Sequence, residues 1–320
     1  MRAMVYTKYG PPEVVQLSEV DRPIPKDNEV LIKIHATTVN RTDCGFRSAE
    51  YFIIRFFSGL FNPKIKILGN EFAGEIESIG KDVTSFKPND KVFGYNDTKF
   101  GAHAEYKIMA EKDSFTTMPD NLSYQDAAAI TEGAHYALCN IRTAKIKPGQ
   151  NYLINGATGA IGSAAVQLVK YFGGDVTAVC DTKNMELVKS LGADEVIDYT
   201  RQDFTKLNKT FDVVFDAVGK SSFGKCKPIL KNKGIYMSTE LGYMSQNIFL
   251  ALITPLAGGK KVLFPLPTIS KEDVVFLKQL VESNKFKPVI DRSYPLEKIV
   301  EAYRYVETGT KTGNVIITVQ

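Results

Sequence analysis

The sequence of 320 residues predicts an α/β protein in which a doubly wound parallel sheet is inserted into a β-rich domain. In residues 1–122, short alternating or apolar runs are separated by Pro, Gly, Asn and Asp, which is typical of strands and turns. From about residue 123, short apolar strands alternate with helical patterns. The tail 287–320 ends in a β-branched run, 314–319, and we expect it to rejoin the first domain. The predicted domains are therefore 1–122 with 287–320, and 123–286.

The individual elements follow from local periodicity. The first domain has candidate strands at 3–6, 30–35, 72–79, 91–94 and 104–109. The second has candidate strands at 151–155, 176–180, 195–198, 212–215, 234–238 and 261–264. Between the first two of these six, apolar residues from Ile161 to Phe172 repeat at the i, i+3, i+4, i+7 spacing of one buried helical face. Six short apolar strands joined by helices predict a parallel sheet covered on both faces.

Composition excludes several classes of protein. The net charge of +4 is spread along the chain, so neither nucleic acid nor a membrane surface is an expected partner. The four cysteines form no C-x-x-C pair, and residues 1–10 lack the apolar run of a secretory signal. Together these predict a cytoplasmic protein. Two apolar stretches, 51–63 and 248–257, are shorter than the ~20 residues that span a bilayer. The second could form an interface, cap a pocket or be buried.

A glycine-rich turn follows the strand at 151–155 and opens the predicted helix. It contains Gly156, Gly159 and Gly162 at three-residue spacing, a variant of the G-x-G-x-x-G pattern. A side chain at such positions would keep the backbone from a pyrophosphate or the helix from the sheet, while the helix start offers free N–H groups to phosphates. The turn therefore predicts a dinucleotide site. Its predicted contacts are Gly156, Ala157, Thr158, Gly159, Ala160, Ile161 and Gly162.

Residues after the second and fourth strands should contact the rest of the dinucleotide. Asp181 can bind a ribose 2′-hydroxyl, whereas Thr182 and Lys183 favour a 2′-phosphate, so the choice between NADH and NADPH stays open. Near the predicted nicotinamide position, Gly219 is equally consistent with a simple turn. The predicted set is completed by Tyr199, Ala217, Val218, Gly219 and Asn314.

Several longer motifs resemble the medium-chain dehydrogenase/reductases, and within them the zinc-independent quinone oxidoreductases. These motifs are PKDNEVLIKI at 25–34, NRTD at 40–43, LGNEFAG at 68–74, FKPNDKVFG at 86–94, GAHAEY at 101–106 and LGADEVID at 191–198. The resemblance covers nearly the whole chain. It implies a GroES-like β domain interrupted by a Rossmann domain. It also implies reduction of quinones or α,β-unsaturated carbonyls, with NADPH favoured and NADH possible.

The sequence departs from the family's zinc enzymes at two positions. Where those alcohol dehydrogenases carry a cysteine and a histidine ligand, this chain has Asn40 and Asn70. An amide is a poor zinc ligand beside a thiolate or an imidazole. The three histidines, His35, His103 and His135, are expected to be structural or on the surface. We therefore expect no zinc and an acceptor whose conjugation delocalises the charge that hydride brings.

The predicted catalytic residues are Asn40, Asp43 and Tyr51. Asn40 would donate a hydrogen bond to the acceptor oxygen or to the carboxamide. Asp43 is expected to fix its loop rather than to transfer protons. Tyr51 would line the acceptor pocket and donate a proton, although a core tyrosine is equally consistent. The predicted partners are a small-molecule electron acceptor and, because relatives commonly dimerise through the edge of the Rossmann sheet, a second copy of the chain. Two alternatives remain open: a non-catalytic NADPH-binding protein, and an alcohol dehydrogenase-like activity on small carbonyls.

Overall fold

The computed structural model describes residues 1–50, 52 and 54–319. Its contacts divide the chain into two compact units. Unit 1 comprises Met1–Glu132 and Ile269–Gln320, and unit 2 comprises Gly133–Thr268. These bounds differ from the predicted domains, 1–122 with 287–320 and 123–286. One reason is that Lys278, which the sequence assigns to the second domain, donates from Nζ to Thr117 Oγ1 at 2.8 Å within unit 1.

The strands, in chain order, are β1 (Arg2–Val5), β2 (Gln16–Glu19), β3 (Glu29–Val39), β4 (Glu71–Ile79), β5 (Lys91–Tyr95), β6 (Tyr106–Ala110), β7 (Phe115–Thr117), β8 (Asn151–Asn155), β9 (Asp175–Cys180), β10 (Glu195–Asp198), β11 (Phe211–Asp216), β12 (Leu230–Ser238), β13 (Lys261–Leu263), β14 (Ile290–Pro295) and β15 (Asn314–Thr318). The α-helices are α1 (Arg41–Ser48), α2 (Ile54–Ser58), α3 (Tyr124–Ala128), α4 (Thr131–Ala144), α5 (Ala160–Tyr171), α6 (Met185–Ser190), α7 (Phe223–Cys226), α8 (Gln246–Ile253), α9 (Lys271–Glu282) and α10 (Ile299–Glu307).

Unit 1 is built on a largely antiparallel sheet. Its strand order is β14-β15-β3-β4-β5-β7. The first half of the long strand β3 pairs with β6, and its last residues pair with β15. Strand β15 runs antiparallel to β3, with Val315 opposite Val39, so the C-terminal strand belongs to the same sheet as the N-terminal ones. The buried core includes Ile32, Phe72 and Ile317, which are fully covered.

Unit 2 is built on a parallel sheet of six strands. The order is β10-β9-β8-β11-β12-β13, and every pairing is parallel. This confirms the prediction of a doubly wound α/β fold combined with a β domain. Because the order reverses direction at β8, the carboxyl ends of β8, β9 and β11 meet at one edge, where such sheets bind ligands.

The structure corrects one local expectation and bears on one alternative that the sequence left open. The segment after Asn40 forms helix α1 rather than a loop. The Asn40 side chain accepts from the backbone N–H of Asp43, and the Asp43 side chain accepts from the backbone N–H of Asn40. The apolar stretch 248–257 is not buried throughout. Phe249, Leu252 and Leu256 are 64%, 68% and 87% exposed.

A helix that crosses a membrane must be both long and apolar. Among the helices of the described residues, none combines these two properties.

Candidate functional site

The glycine turn of unit 2 uses its three glycines in three different ways. Gly156 has a left-handed φ of +78°, and a Cβ there would lie 2.3 Å from Val218 Cγ1. At Gly162 a Cβ would lie 2.0 Å from the carbonyl oxygen of Gly156, so this glycine lets α5 pack against the turn. Gly159 differs from both, because its Cβ would meet only the Gly156 oxygen, at 3.7 Å. The space beside Gly159 is therefore open.

That open space lies at the start of α5. Gly159 is the N-cap residue of this 12-residue helix and supplies no capping side chain. The first N–H groups of a helix have no acceptor inside the helix, and the helix dipole makes them attractive to anions. A phosphate group fits this position, and a side chain at Gly159 would occupy it.

The loop after β11 is held by one buried carboxylate. Asp216 accepts from the backbone N–H of Ser221 at 2.7 Å and from Asn155 Nδ2 at 3.0 Å. These bonds fix Ala217 and Val218 beside the glycine turn, as the Gly156–Val218 contact shows. Gly219 has a left-handed φ of +65°, so the turn by itself accounts for this glycine.

The end of β9 carries both signs of charge. Asp181 is partly buried and accepts from Asn184 Nδ2 at 2.6 Å, and its other oxygen lies 3.7 Å from Lys183 Nζ. Thr182 Oγ1 donates to Asp198, the last residue of β10. The side chains of Lys183 and Arg201 are 69% and 76% exposed.

The structure brings most of the predicted dinucleotide residues to one edge of the unit 2 sheet, since the strands that they follow are paired there. Tyr199, directly after β10, is 58% exposed at this edge. Asn314 is different because it lies in unit 1. Its Nδ2 donates to the backbone oxygens of Val289 and Ala129 at 3.0 and 3.3 Å, a structural role in β15.

Unit 1 contains a buried polar cluster that includes the two asparagines at the zinc-ligand positions of the family's alcohol dehydrogenases. Asn40 Nδ2 donates to Asn70 Oδ1 at 2.7 Å. Asn70 Nδ2 then donates to Glu132 Oε2 at 3.1 Å and to Tyr95 Oη at 3.3 Å. Because Oε2 of Glu132 accepts from the Asn70 amide, the Asn70 oxygen is turned towards Asn40 and accepts from its amide in turn.

Asp43 and His103 bind the backbone segments that carry the residues of this cluster. Asp43 is fully buried and accepts from the backbone N–H of Asn40 and of Gly69, at 3.1 and 2.9 Å. Burial raises the pKa of Asp43 to about 7. His103 Nε2 lies 2.8 Å from the carbonyl oxygen of Thr38, and burial lowers the pKa of this histidine to about 4, so the ring is neutral. Each of these contacts joins a side chain to the backbone of a neighbouring segment, and the structural role of Asp43 stays a prediction.

The chemistry of this donor set does not fit a zinc ion. The two amides bond to each other, and amide groups are weak zinc ligands. Within the described part of the chain, no group of three or more His, Cys, Asp or Glu side chains is arranged to hold a metal.

Cys44 is not an activated nucleophile, because burial raises the pKa of its thiol to about 12. Tyr51 lies outside the described residues.

Sequence reasoning missed two buried carboxyl groups of this cluster. Glu71 accepts from Thr38 Oγ1 at 2.7 Å and from Thr131 Oγ1 at 2.8 Å, as well as from the backbone of Thr131 and Glu132. Glu132 accepts from Thr42 Oγ1 at 2.7 Å. A glutamate directly before the candidate strand 72–79 was the one available signal, and nothing in the sequence marks Glu132.

The burial of Glu132 has a consequence for stability. Burial first, and the nearby Glu71 second, raise its pKa from the usual 4.5 to about 8. The native state therefore holds this proton where the unfolded state has lost it. Its contribution to stability is complete below pH 4.5 and is lost as the pH rises through about 8.

Glu132→Gln should remove this loss. We expect the difference in melting temperature, variant minus wild type, to be larger at pH 8.5 than at pH 5. Asp43, Glu71 and Lys311 also face Glu132 and contribute their own pH dependence, so the difference between variant and wild type is the quantity to measure. The exposed Glu186→Gln is the control and should show a constant difference. A constant difference for Glu132→Gln as well would show that Glu132 does not carry the effect.

The comparisons with known proteins agree with the geometry. Residues 26–120 match the family model of the alcohol dehydrogenase GroES-like domain, and residues 191–317 match that of a zinc-binding dehydrogenase. Over 99% of this chain and 79% of the relative, the sequence is 35% identical to 2-methylene-furan-3-one reductase of Solanum lycopersicum. It is 30% identical, over the same shares of the two chains, to the chloroplastic NADPH-dependent alkenal/one oxidoreductase of Arabidopsis thaliana.

A solved structure extends this likeness to the fold. The quinone oxidoreductase of Coxiella burnetii superposes with a TM-score of 0.89 and 27% identity, over 100% of this chain and 99% of that one. The chain belongs to the medium-chain dehydrogenase/reductase family, in its quinone oxidoreductase branch. This confirms the family and the fold that the sequence motifs predict.

Proposed function

We propose that the protein is an NADPH-dependent oxidoreductase that reduces quinones and α,β-unsaturated carbonyl compounds without zinc. The proposed class of acceptor rests on one observation. Asn40 and Asn70, which stand at the ligand positions of the family's zinc enzymes, are hydrogen-bonded to each other. Without a metal to polarise a carbonyl oxygen, an acceptor that delocalises charge through its own conjugation needs the least help. The names of the Solanum and Arabidopsis relatives support the same class of substrate.

The residues of the chain would act mainly by binding and orientation. NADPH, when bound, supplies the hydride from its nicotinamide ring. The start of α5 beside Gly159 would hold the pyrophosphate, and Ala217 and Val218 would contact the nicotinamide half. Asn40 has its amide oriented by Asn70 and Glu132, and it is the residue that we propose for hydrogen bonding to the acceptor or the carboxamide. Tyr51 remains a predicted contact of the acceptor.

The activity is tested by turnover. The protein is incubated with NADPH and either 9,10-phenanthrenequinone or an enone, and the absorbance of the reduced nicotinamide is followed. We expect oxidation with both acceptors, no comparable rate with a saturated ketone, and full activity after treatment with a chelator. Cofactor binding without turnover across the panel would establish a non-catalytic protein. Loss of activity on chelation, restored by zinc, would overturn the interpretation of Asn40 and Asn70.

NADPH is proposed over NADH because the largely exposed cations Lys183 and Arg201 follow β9 and β10, where we expect the ribose to bind, and their present partners Asp181 and Asp198 lie 3.7 and 3.4 Å away. The carboxylate of Asp181 also accepts from Asn184. Asp181→Ser should raise the preference for NADPH by roughly three- to tenfold, since it removes a carboxylate that would repel a 2′-phosphate. The ratio of kcat/KM for the two cofactors measures this. Lys183→Ala is the matched variant and should shift the ratio the other way. An unchanged ratio in both variants would remove this edge from cofactor choice.

We also propose that the protein is a homodimer and that the apolar face of α8 lies in the interface. Phe249 and Leu252 are exposed on this helix, and a contiguous exposed apolar patch marks an association surface. Sedimentation velocity should give a dimer for the wild type and a monomer for Leu252→Glu. Leu17→Glu, at another exposed leucine, should leave the dimer intact. A monomeric wild type would contradict the proposal.

The cytoplasmic location stays a prediction, and the Arabidopsis relative is chloroplastic by name.

A further inference from the structure

Unit 1 contains a pocket that the proposed hydride transfer does not use. It has a volume of about 390 Å³. Its walls are largely apolar and include Val20, Ile67, Phe100 and Ile108. The polar side chains that line it include Lys107, Lys99 and Asp21. Of these, Lys99 and Asp21 are exposed, whereas only 4% of Lys107 is exposed.

Lys107 is an unusual residue to find buried on a strand. It lies on β6, opposite Ile32 of β3, and its Nζ is 5.9 Å from the centre of the Phe72 ring. Among the described residues, no hydrogen bond or ion pair to this Nζ is formed, and its electrostatic neighbours are Asp113 and the like-charged Lys99. A buried ammonium without a carboxylate partner is costly, so the neutral amine is favoured.

We propose that Lys107 is a carbonyl-reactive lysine and that this pocket binds small apolar aldehydes and ketones as Schiff bases. The amine nitrogen adds to the carbonyl carbon to give a carbinolamine, and loss of one water molecule then forms the C=N bond. No electrons are exchanged with a third compound. The apolar walls suit the hydrocarbon part of such a ligand, whereas an inorganic anion would be disfavoured by these walls and by Asp21.

The ionisation of Lys107 supports this chemistry. Burial lowers its pKa from 10.5 to about 7, so a large fraction of the amine is neutral and nucleophilic at pH 7.5. An exposed lysine has roughly one part in a thousand neutral at that pH. Even allowing for the weaker nucleophilicity of a less basic amine, Lys107 should react at least about tenfold faster than exposed lysines.

The test uses the intact wild-type protein, hexanal and sodium cyanoborohydride. Hexanal is saturated, so it labels by imine formation and not by conjugate addition. Peptide mass spectrometry at several times should show one hexyl group at Lys107 before any exposed lysine is labelled. The rate at Lys107 should saturate with hexanal concentration and reach half its maximum near neutral pH, whereas the labelling of an ordinary exposed lysine keeps rising towards about pH 10. Hexanol, which fills the pocket without a carbonyl group, should slow the labelling of Lys107.

Two variants separate the site from general reactivity. Lys107→Met should abolish the fast phase of labelling, and Lys99→Met should retain it. Labelling of Lys107 at the rate of exposed lysines, or only after unfolding, would overturn the proposal. Because the labelling needs neither NADPH nor a quinone, its result is independent of whether the protein transfers hydride. If Lys107→Met fails to fold, the pH profile and the hexanol competition of the wild type still decide.

Discussion

Gly159→Val should weaken NADPH binding by at least about a hundredfold while leaving the fold of unit 2 in place. The reason is the space around this residue, where a Cβ would meet only the Gly156 oxygen, at 3.7 Å. The valine side chain would occupy the position at the start of α5 that we assign to the pyrophosphate. The N-cap residue changes as well, which should cost the helix about 1 kcal/mol or less. Titration calorimetry with NADPH and thermal denaturation measure the two effects separately.

Gly162→Ala is the matched variant, because it alters the same turn for a different reason. A Cβ at this position would lie 2.0 Å from the backbone oxygen of Gly156 and 2.9 Å from Ala157 Cα. Backbone atoms cannot yield as a flexible side chain does, so this variant should lose about 3 kcal/mol of stability. The pair should therefore separate affinity from stability. Wild-type affinity in Gly159→Val would show that the phosphate does not bind at this end of α5.

The glycine turn could be predicted from the sequence because its requirements are local. A strand, a tight turn and an amphipathic helix follow one another within about twenty residues, and each leaves its own pattern. The sequence did not reveal that Gly159 leaves open space while Gly156 and Gly162 relieve contacts. For Gly156 this depends on Val218, which follows another strand, and for Gly162 it depends on how the turn folds back over the start of α5.

The polar cluster of unit 1 could be predicted only in part. Asn40 and Asn70 were found because the resemblance marks their positions, but their mutual hydrogen bond was not expected. Glu132 comes from a helix about 60 residues further along the chain, and no periodicity links it to Asn70. Helix α1 was missed for a simpler reason. Its mean composition is polar, and a reciprocal bond between Asn40 and Asp43 starts it rather than a run of apolar residues.

Glu71 is the residue of this cluster whose loss should cost the most stability. Its side chain is fully buried on β4 and accepts four hydrogen bonds, two of them from Thr131. Glu71→Ala would leave these donors without an acceptor in a site that water does not reach. We expect the free energy of unfolding to fall by about 3–5 kcal/mol. That is a large part of the total stability of a typical domain. Urea denaturation followed by circular dichroism provides the measurement.

A second variant separates the effect of the missing hydrogen-bond acceptors from the effect of the missing charge. Glu71→Gln keeps one oxygen for Thr131 and turns the other acceptor into an amide, to which the Thr38 hydroxyl can adapt because it both donates and accepts. This variant should lose less than half as much stability as Glu71→Ala. Glu186→Ala, at a side chain that is 87% exposed, should change stability by no more than about 0.5 kcal/mol. If Glu71→Ala and Glu71→Gln were equally destabilised, the charge would be the essential feature, and the buried cluster would require an ionised carboxylate at its centre.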